Sequence, residues 1–164
     1  MSPNAERVAE LIRQAFAGVT LGNGVGLNQA QGLDDYADSD TLAELRSRDE
    51  LLDWTRLAPA ELDRCYSSPS FFDPEGMRFH LPAYLLAELE GDLCSASIVF
   101  HLTYDPSGPD SRFALLNGPQ REAVREFLWL HLTERDCEFD RPLIEESLLY
   151  HWGVPARFLD DTSE

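Results

Sequence analysis

The sequence predicts a mainly α fold: an irregular single-domain bundle of about six to eight helices with little or no sheet. Three observations support this. The 164 residues are about the length of one domain. Helix-capping patterns recur along the chain, and strand signals are scarce. We expect one helical domain over residues 1–155 and an acidic, flexible tail over residues 156–164.

The first elements are marked by proline and glycine. Ser2 and Pro3, followed by apolar residues at helical spacing, predict a helix that closes at Gly18. Four glycines from Gly18 to Gly26 predict a loop, because glycine loses the most backbone entropy in regular structure. A short helix is expected within residues 27–36.

The next segment is predicted to be helical and strongly negative outside. Ser39 or Asp40 is expected to cap the next helix. This helix is expected to direct Leu42, Leu45 and Leu52 inward towards Trp54. Pro59 begins another short helix, because proline favours the first helical turn.

The longest apolar helix is predicted in the middle of the chain. Asp73 and Pro74 form a cap and a first turn, and an apolar stripe follows as far as Gly91. Pro82 lies inside this stripe, so we expect a kink or two abutting helices. Residues 95–104 contain β-branched residues, but a single strand would have no partner, and a helix is therefore favoured.

The last two helices have clear starts or ends. Asn117 and Gln120 have the spacing of a capping box, and apolar residues follow at helical intervals. Residues 140–152 are predicted to form the final helix, with His151 on its apolar face and Gly153 at its end.

Charge limits the classes of partner. The chain carries 30 acidic residues against 13 basic ones, for a formal net charge of −17, and every basic residue is arginine. A field of this sign opposes approach to nucleic acid and to anionic membranes. It favours a basic protein partner. Repulsion among the carboxylates also predicts that added salt or moderate acid stabilises the fold.

The cysteines and the hydropathy indicate a cytoplasmic location. Cys65, Cys94 and Cys137 are widely spaced and form no C-x-x-C pair, which fits reduced thiols. The N-terminal residues do not resemble a signal peptide, and no run of about 20 apolar residues is present. No cofactor is predicted.

The acidic residues are concentrated in one segment, between residues 34 and 53. A carboxylate cluster of this kind can bind a hard cation such as Ca²⁺, but the EF-hand pattern is missing and no metal site is predicted. We expect a solvated acidic face that contacts the partner. We call the following eight residues the acidic segment: Asp34, Asp35, Asp38, Asp40, Glu44, Asp49, Glu50 and Asp53.

Two other patterns suggest ligands. Four histidines with apolar neighbours are candidate metal ligands, but no local pair supports this, and buried histidines bonded to backbone are favoured. The glycine-rich loop at residues 22–26 superficially resembles a phosphate loop, but a helix precedes it and no Gly-Lys-Ser/Thr ending follows, which favours a flexible turn.

One polar cluster is a candidate active site. Glu75, Arg78 and His80 lie close together in sequence, together with Tyr84. On a helix, Glu75 and Arg78 are three residues apart and would commonly form an ordinary ion pair. No nucleophile motif accompanies them, and no catalytic residue is assigned.

This stretch carries a family resemblance. Residues 71–84, Phe-Phe-Asp-Pro-Glu-Gly-Met-Arg-Phe-His-Leu-Pro-Ala-Tyr, resemble the central motif F-x-x-P-E-G-[MF]-R-[FY]-x-L-P-A-[YF] of an uncharacterised bacterial domain family of unknown function. Stretches at residues 24–36 and 113–128 resemble the same family. The resemblance implies a single domain and carries no activity. We expect the motif residues to be structural: Pro74, Glu75, Gly76, Arg78, His80, Pro82 and Tyr84.

These observations lead to three hypotheses. The first is a non-enzymatic binding or inhibitory protein, for instance of the immunity type, that uses the acidic segment against a basic protein partner. The second is a hydrolase-like enzyme that uses Glu75, Arg78 and His80. The third is a structural, homo-oligomeric protein without a ligand.

Overall fold

The mainly α prediction is confirmed. The computed structural model describes residues 1–104 and 109–160, and these residues contain helices and no strand. The α-helices are α1 (Pro3–Ala15), α2 (Leu27–Asp34), α3 (Ser39–Arg48), α4 (Pro59–Arg64), α5 (Pro74–Glu90), α6 (Ile98–Thr103), α7 (Pro109–Arg112), α8 (Gly118–Glu134) and α9 (Arg141–Ser147).

Three of the predicted helix starts are confirmed by their capping hydrogen bonds. The side chain of Ser2 accepts from the amide of Ala5, and Asp73 accepts from Gly76 at 2.8 Å. Asn117 accepts from Gln120 at 2.9 Å, which completes the capping box. Each cap satisfies an amide that has no partner within its helix.

The start of α3 and its inward residues differ from the prediction. The N-cap is Asp38, whose Oδ1 accepts from the amide of Thr41 at 2.8 Å, and not Ser39 or Asp40. The chain leaves the helix before Leu52, whose exposure is 74%. Trp54 is buried, because it begins a separate 3₁₀ turn, Trp54–Arg56.

The core is built around α5. This helix is buried on nearly every side and packs against α1, α4, α6 and α7. It continues through Pro82 as one helix, so the prediction of two abutting helices is wrong. It ends at Gly91, whose φ of 76° is the left-handed conformation in which glycine is favoured. Outside this centre, α1 packs on α8 and α2 packs on α3.

The C-terminal helices settle two further predictions. Residues 98–103 are helical, as favoured. The final helix, however, ends at Ser147 and continues as a wider π turn, Leu148–Trp152, in which the amide of Gly153 donates to Leu148 O. The extra residue in this turn moves Trp152 into the core and leaves His151 exposed, contrary to the prediction for His151.

Packing continues beyond residue 155, where the predicted tail begins. Ala156–Phe158 forms a 3₁₀ turn, and the ring of Phe158 lies 4.7 Å from that of Trp129. Arg157 Nε donates to Glu126 Oε1 at 2.9 Å. The first part of the predicted tail therefore packs against α8, and residues 161–164 lie outside the described part of the chain.

Two properties of the whole chain are also visible. All three cysteines are free; Cys65 and Cys137 are buried, and Cys94 is exposed. In the described ranges, none of the helices has the length and apolar content needed to cross a bilayer.

Candidate functional site

The structure divides the acidic segment into buried, capping and unpartnered carboxylates. Asp49 is the buried member, with 8% exposure. Its Oδ1 accepts from the backbone amide of Asn28 at 2.7 Å and from the side-chain amide of Asn28 at 2.9 Å, and its Oδ2 accepts from Gln29 N at 3.2 Å. A Cβ at Gly26 would overlap this carboxylate, so glycine is needed there. Asp49 therefore caps α2 and does not belong to the solvated face.

Three other members hold local turns. Asp38 caps α3, and the amide and hydroxyl of Thr41 hold the pKa of Asp38 below its usual value. Asp53 accepts from the hydroxyl of Thr55 at 2.6 Å and from its amide at 3.0 Å, and these bonds lower the pKa of Asp53. The Oε1 of Glu50 accepts hydrogen bonds from the backbone amides of Leu52 and Asp53. These three carboxylates therefore stabilise local turns, a role that their charge alone does not indicate.

The remaining members differ in their partners. Glu44 forms an ion pair with Arg48, one turn along α3. The carboxylates of Asp34, Asp35 and Asp40 make no hydrogen bond or ion pair with any described residue. Asp35 and Asp40 are exposed, and Asp34 is half-buried. These three carboxylates keep their full capacity for an external partner.

An exposed tyrosine lies among them, and sequence reasoning missed it. Tyr36 has 96% exposure and a φ of 55°, the one positive φ of a non-glycine residue in the described ranges. It follows the C-terminus of α2, where the amide of Ala37 donates to Gly32 O at 2.9 Å. Glycine is the usual residue at this left-handed position, because it carries no Cβ. The available signal was an aromatic residue inside an acidic run, directly after a helix. We call Asp34, Asp35, Tyr36 and Asp40 the acidic patch.

Residues 71–84 hold the glycine loop against α5. Asp73 Oδ1 accepts from Gly76 N at 2.8 Å and from Val25 N at 2.9 Å. A Cβ at Gly76 would lie 2.6 Å from Val25 O, and one at Gly24 would lie 2.7 Å from Gly76 N. The two backbones therefore approach as closely as glycine permits.

Three amides of the glycine loop are already bonded within the protein. Gly24 N donates to Leu21 O at 3.0 Å, and Val25 N donates to Asp73. Gly26 N donates to the side-chain oxygen of Gln29 at 3.1 Å. A phosphate loop needs such amides free to point at the ligand, so this loop is a structural turn.

His80 lies in the core and has no access to substrate. It is fully buried, its Nδ1 lies 2.7 Å from Gly76 O, and its ring stacks on Phe72 at 4.3 Å between centroids. Burial lowers the pKa of His80 to about 4, so the ring is neutral. Tyr84, one turn further along α5, packs edge-on against the same Phe72, and burial raises the pKa of its phenol. Both rings pack in the core, where His80 Nε2 and the Tyr84 hydroxyl are buried without a hydrogen-bond partner among the described residues.

The predicted ion pair between Glu75 and Arg78 is not formed. Both side chains are half-buried, and neither contacts a charged partner among the described residues. Arg78 Nε is buried without a hydrogen-bond partner there. His80 therefore does not join these two groups in a catalytic arrangement.

The histidines do not converge on a metal. His80, His101 and His131 are buried in different parts of the bundle, and His151 is exposed. His131 Nε2 lies 3.7 Å from Glu88 Oε1, and burial lowers the pKa of His131 to about 4. Across residues 1–104 and 109–160, no group of three His, Cys, Asp or Glu side chains is arranged to hold a metal ion.

Comparison with known proteins identifies the family of the chain. No curated protein and no solved structure matches it. A family model described as "Family of unknown function (DUF6714)" matches residues 4–152. This match spans every α-helix from the first turn of α1 to the end of α9. The chain therefore belongs to the DUF6714 family of unknown function.

Proposed function

We propose that the protein is a non-enzymatic binding or inhibitory protein that docks a basic protein partner on the acidic patch. The observation that carries this proposal is the position of Tyr36, with 96% exposure, among Asp34, Asp35 and Asp40, which have no intramolecular partner in the described residues. An immunity-type mode of action, in which the patch covers a basic active site, fits this chemistry.

The physical basis is electrostatic steering followed by an aromatic contact. A net charge of −17 attracts a basic protein from a distance and raises the association rate by about tenfold or more at low salt. At contact, an arginine or lysine of the partner can lie over the ring of Tyr36 and also reach a carboxylate. Tyrosine is enriched among the residues that dominate binding free energy at protein interfaces.

The backbone at Tyr36 also supports a binding role. A tyrosine in the left-handed region costs about 1 kcal/mol relative to glycine. Its ring has almost no contact with the rest of the protein that would offset this cost. A contact with a partner supplies a reason for an aromatic residue at this position.

The two alternatives have less support. The enzyme hypothesis needs a reactive group within reach of substrate, whereas His80 is fully buried and bonded to the backbone. A homo-oligomer joined through the acidic patch would bring like charges together, which is destabilising. Free cysteines fit a reducing compartment such as the cytoplasm, which we infer as the location.

The experiment is an affinity capture followed by a kinetic measurement. The immobilised protein is exposed to a lysate of the organism that encodes it, and the captured protein is identified and purified. We expect a basic protein whose association rate falls steeply as salt is raised. The variant Asp34→Asn/Asp35→Asn/Asp40→Asn should slow association by about tenfold, and Tyr36→Ala should mainly speed dissociation.

The control variant removes the same number of charges elsewhere. Asp92→Asn/Glu138→Gln/Glu146→Gln neutralises exposed carboxylates outside α2 and α3. This variant should keep most of the association rate. If the two triple variants slow association equally, the acidic patch contributes only through the net charge of the protein. A captured partner that is acidic, or whose binding does not depend on salt, would contradict the proposal.

A further inference from the structure

A groove runs between α1, the Trp54–Arg56 turn and α5. It consists of two adjoining cavities with volumes of about 270 Å³ and about 420 Å³. Arg13, Trp54 and Thr55 line both cavities. The smaller cavity is completed by apolar side chains that include Leu57 and Leu86. The two cavities therefore form one apolar groove with a single arginine at its centre.

The groove borders the acidic segment. Leu52 and Asp53 line the larger cavity, and Leu52 exposes 74% of its surface to solvent. A leucine this exposed beside an apolar cavity adds to the hydrophobic surface available to a partner. The Nε1 of Trp54 donates to Phe16 O at 2.9 Å, which fixes the indole at the boundary between the cavities.

The two cavities offer separate places for side chains. The smaller cavity, at about 270 Å³, has room for one or two aliphatic side chains. The second cavity continues the surface in the direction of the acidic segment, as a docked peptide segment would require.

Three acidic side chains and two arginines surround the groove, which leaves an excess of negative charge. Glu10, Asp53 and Glu90 have side-chain exposures of 58%, 47% and 41%. Asp53 Oδ2 lies 3.7 Å from Arg56 Nε. Arg13 lies 3.8 Å from both Glu10 and Glu90, beyond hydrogen-bond distance. Within the described residues, the N–H groups of Arg13 are therefore available to carbonyl oxygens of a docked backbone.

We propose that this groove binds an amphipathic basic segment of the protein partner. Two aliphatic side chains of the segment enter the cavities beside Trp54, its cations face Glu10, Asp53 and Glu90, and Arg13 donates to its backbone carbonyl oxygens. The inference rests on the proposed function, because the same basic partner occupies the acidic patch and the groove. The partner would then carry, besides its basic surface, a helical or extended segment with aliphatic side chains that anchor it in the groove.

The test compares two synthetic helical peptides of equal length and charge. One is an amphipathic Leu/Lys peptide, and the other is an Ala/Lys peptide without a large apolar face. We expect the Leu/Lys peptide to bind at least tenfold more tightly, because burial of aliphatic side chains adds to the charge attraction. Amide shifts in a ¹⁵N-labelled protein should be concentrated at residues 51–57 and 83–90.

Two matched variants locate the contact. Ala17 is exposed and lines the larger cavity, so Ala17→Trp should obstruct the groove and remove most of the preference for Leu/Lys. Ala114 is exposed and does not line either cavity, so Ala114→Trp should leave the preference unchanged. Circular dichroism checks that both variants are folded.

The outcomes separate this inference from the proposed function. If both peptides bind equally and shift only residues of the acidic patch, the groove proposal fails and the acidic patch remains. If neither peptide binds, or if binding is unchanged in Asp34→Asn/Asp35→Asn/Asp40→Asn, the proposed function fails. Concentration-dependent shifts in the groove without peptide, together with a dimer in light scattering, would assign the groove to a second copy of the chain and overturn the inference.

Discussion

Asp49 and Asn28 form the contact that fastens the acidic segment to the rest of the bundle. The Oδ1 of Asp49 accepts from both the backbone and the side-chain nitrogen of Asn28, at 2.7 Å and 2.9 Å. Asn28 in turn accepts at its Oδ1 from Arg64 at 3.1 Å. A carboxylate that charge alone would assign to a solvated face thus closes the N-terminus of α2, and its partner Asn28 joins α2 to α4.

The first prediction concerns this cap. Asp49→Ala leaves the first amides of α2 without their buried acceptor, and we expect a loss of about 2 kcal/mol in the free energy of unfolding. Asp40→Ala, at an exposed position without a partner in the described residues, should change it by less than about 0.5 kcal/mol. Urea unfolding monitored by tryptophan fluorescence measures both. Equal midpoints for the two variants would show that Asp49 does not act as a cap.

The second prediction concerns Gly76, which lies against the glycine loop. In Gly76→Ala the new methyl group would lie 2.6 Å from Val25 O, so the loop must move, at a cost of about 1–3 kcal/mol. Gly118→Ala is the matched control: no atom lies within 4 Å of the added Cβ, and the change should stabilise by about 0.5 kcal/mol. Thermal unfolding compares the two variants. A Gly76→Ala protein as stable as the wild type would show that the contact with Val25 is loose.

The third prediction concerns the ion pairs of Glu126, which is 3% exposed. Burial opposes its ionisation, but hydrogen bonds from Arg7 and Arg157 outweigh this effect and hold the pKa of Glu126 below its usual value. Glu126→Gln should cost about 1–3 kcal/mol, because each arginine loses a charged acceptor. Arg157→Gln should cost less and should release the turn at residues 156–158, which amide hydrogen exchange detects. Unchanged exchange in that turn would show that the Phe158–Trp129 contact and the hydrogen bond from Ala156 N to Glu122 hold it in place.

The fourth prediction concerns pH. Burial lowers the pKa values of His80 and His131 to about 4, whereas in the unfolded chain they return to about 6.5. Between these values the unfolded state binds more protons, so stability falls as pH falls, by up to about 1.4 kcal/mol per pH unit for each histidine. We expect this loss to outweigh the release of charge repulsion that the sequence alone predicts in moderate acid. We expect the protein to be less stable at pH 5 than at pH 7.

The control for pH uses an exposed histidine. His131→Gln removes one buried titrating group and should reduce the dependence of stability on pH, whereas His151→Gln should leave it unchanged. Urea unfolding at several pH values between 5 and 7 provides the slopes. A protein that becomes more stable towards pH 5 would show that repulsion among carboxylates outweighs histidine burial.

Much of the fold is predictable because it depends on local interactions. Ser2, Asp73 and Asn117 start helices through bonds to amides three residues away, and Gly91 ends one through its own φ. Such bonds need only neighbouring residues, so their sequence spacing is sufficient evidence. The π turn after Ser147 is different, because the extra residue is stabilised by the burial of Trp152, whose Nε1 donates to Leu102 O at 3.0 Å.

The candidate site is predictable in its charge and not in its roles. The density of acids between residues 34 and 53 is visible in the sequence. Whether each carboxylate caps, pairs or faces solvent depends on which amide or arginine the fold places beside it. The role of Tyr36 is also set by the fold, because its exposure depends on how α2 ends and on how little of the described chain packs against it.

By itself, the sequence of this protein determined an α-helical domain, its principal helix starts and a strongly negative charge. Tertiary structure decided that Asp49 and His80 are buried and that Glu75 and Arg78 are not paired with each other. It also placed Tyr36 in solvent among carboxylates that have no partner in the described part of the chain. The physical reason is range. Caps, turns and net charge follow from residues near each other in the chain, whereas burial and pairing require segments such as α2 and the Asp49 turn to meet in space.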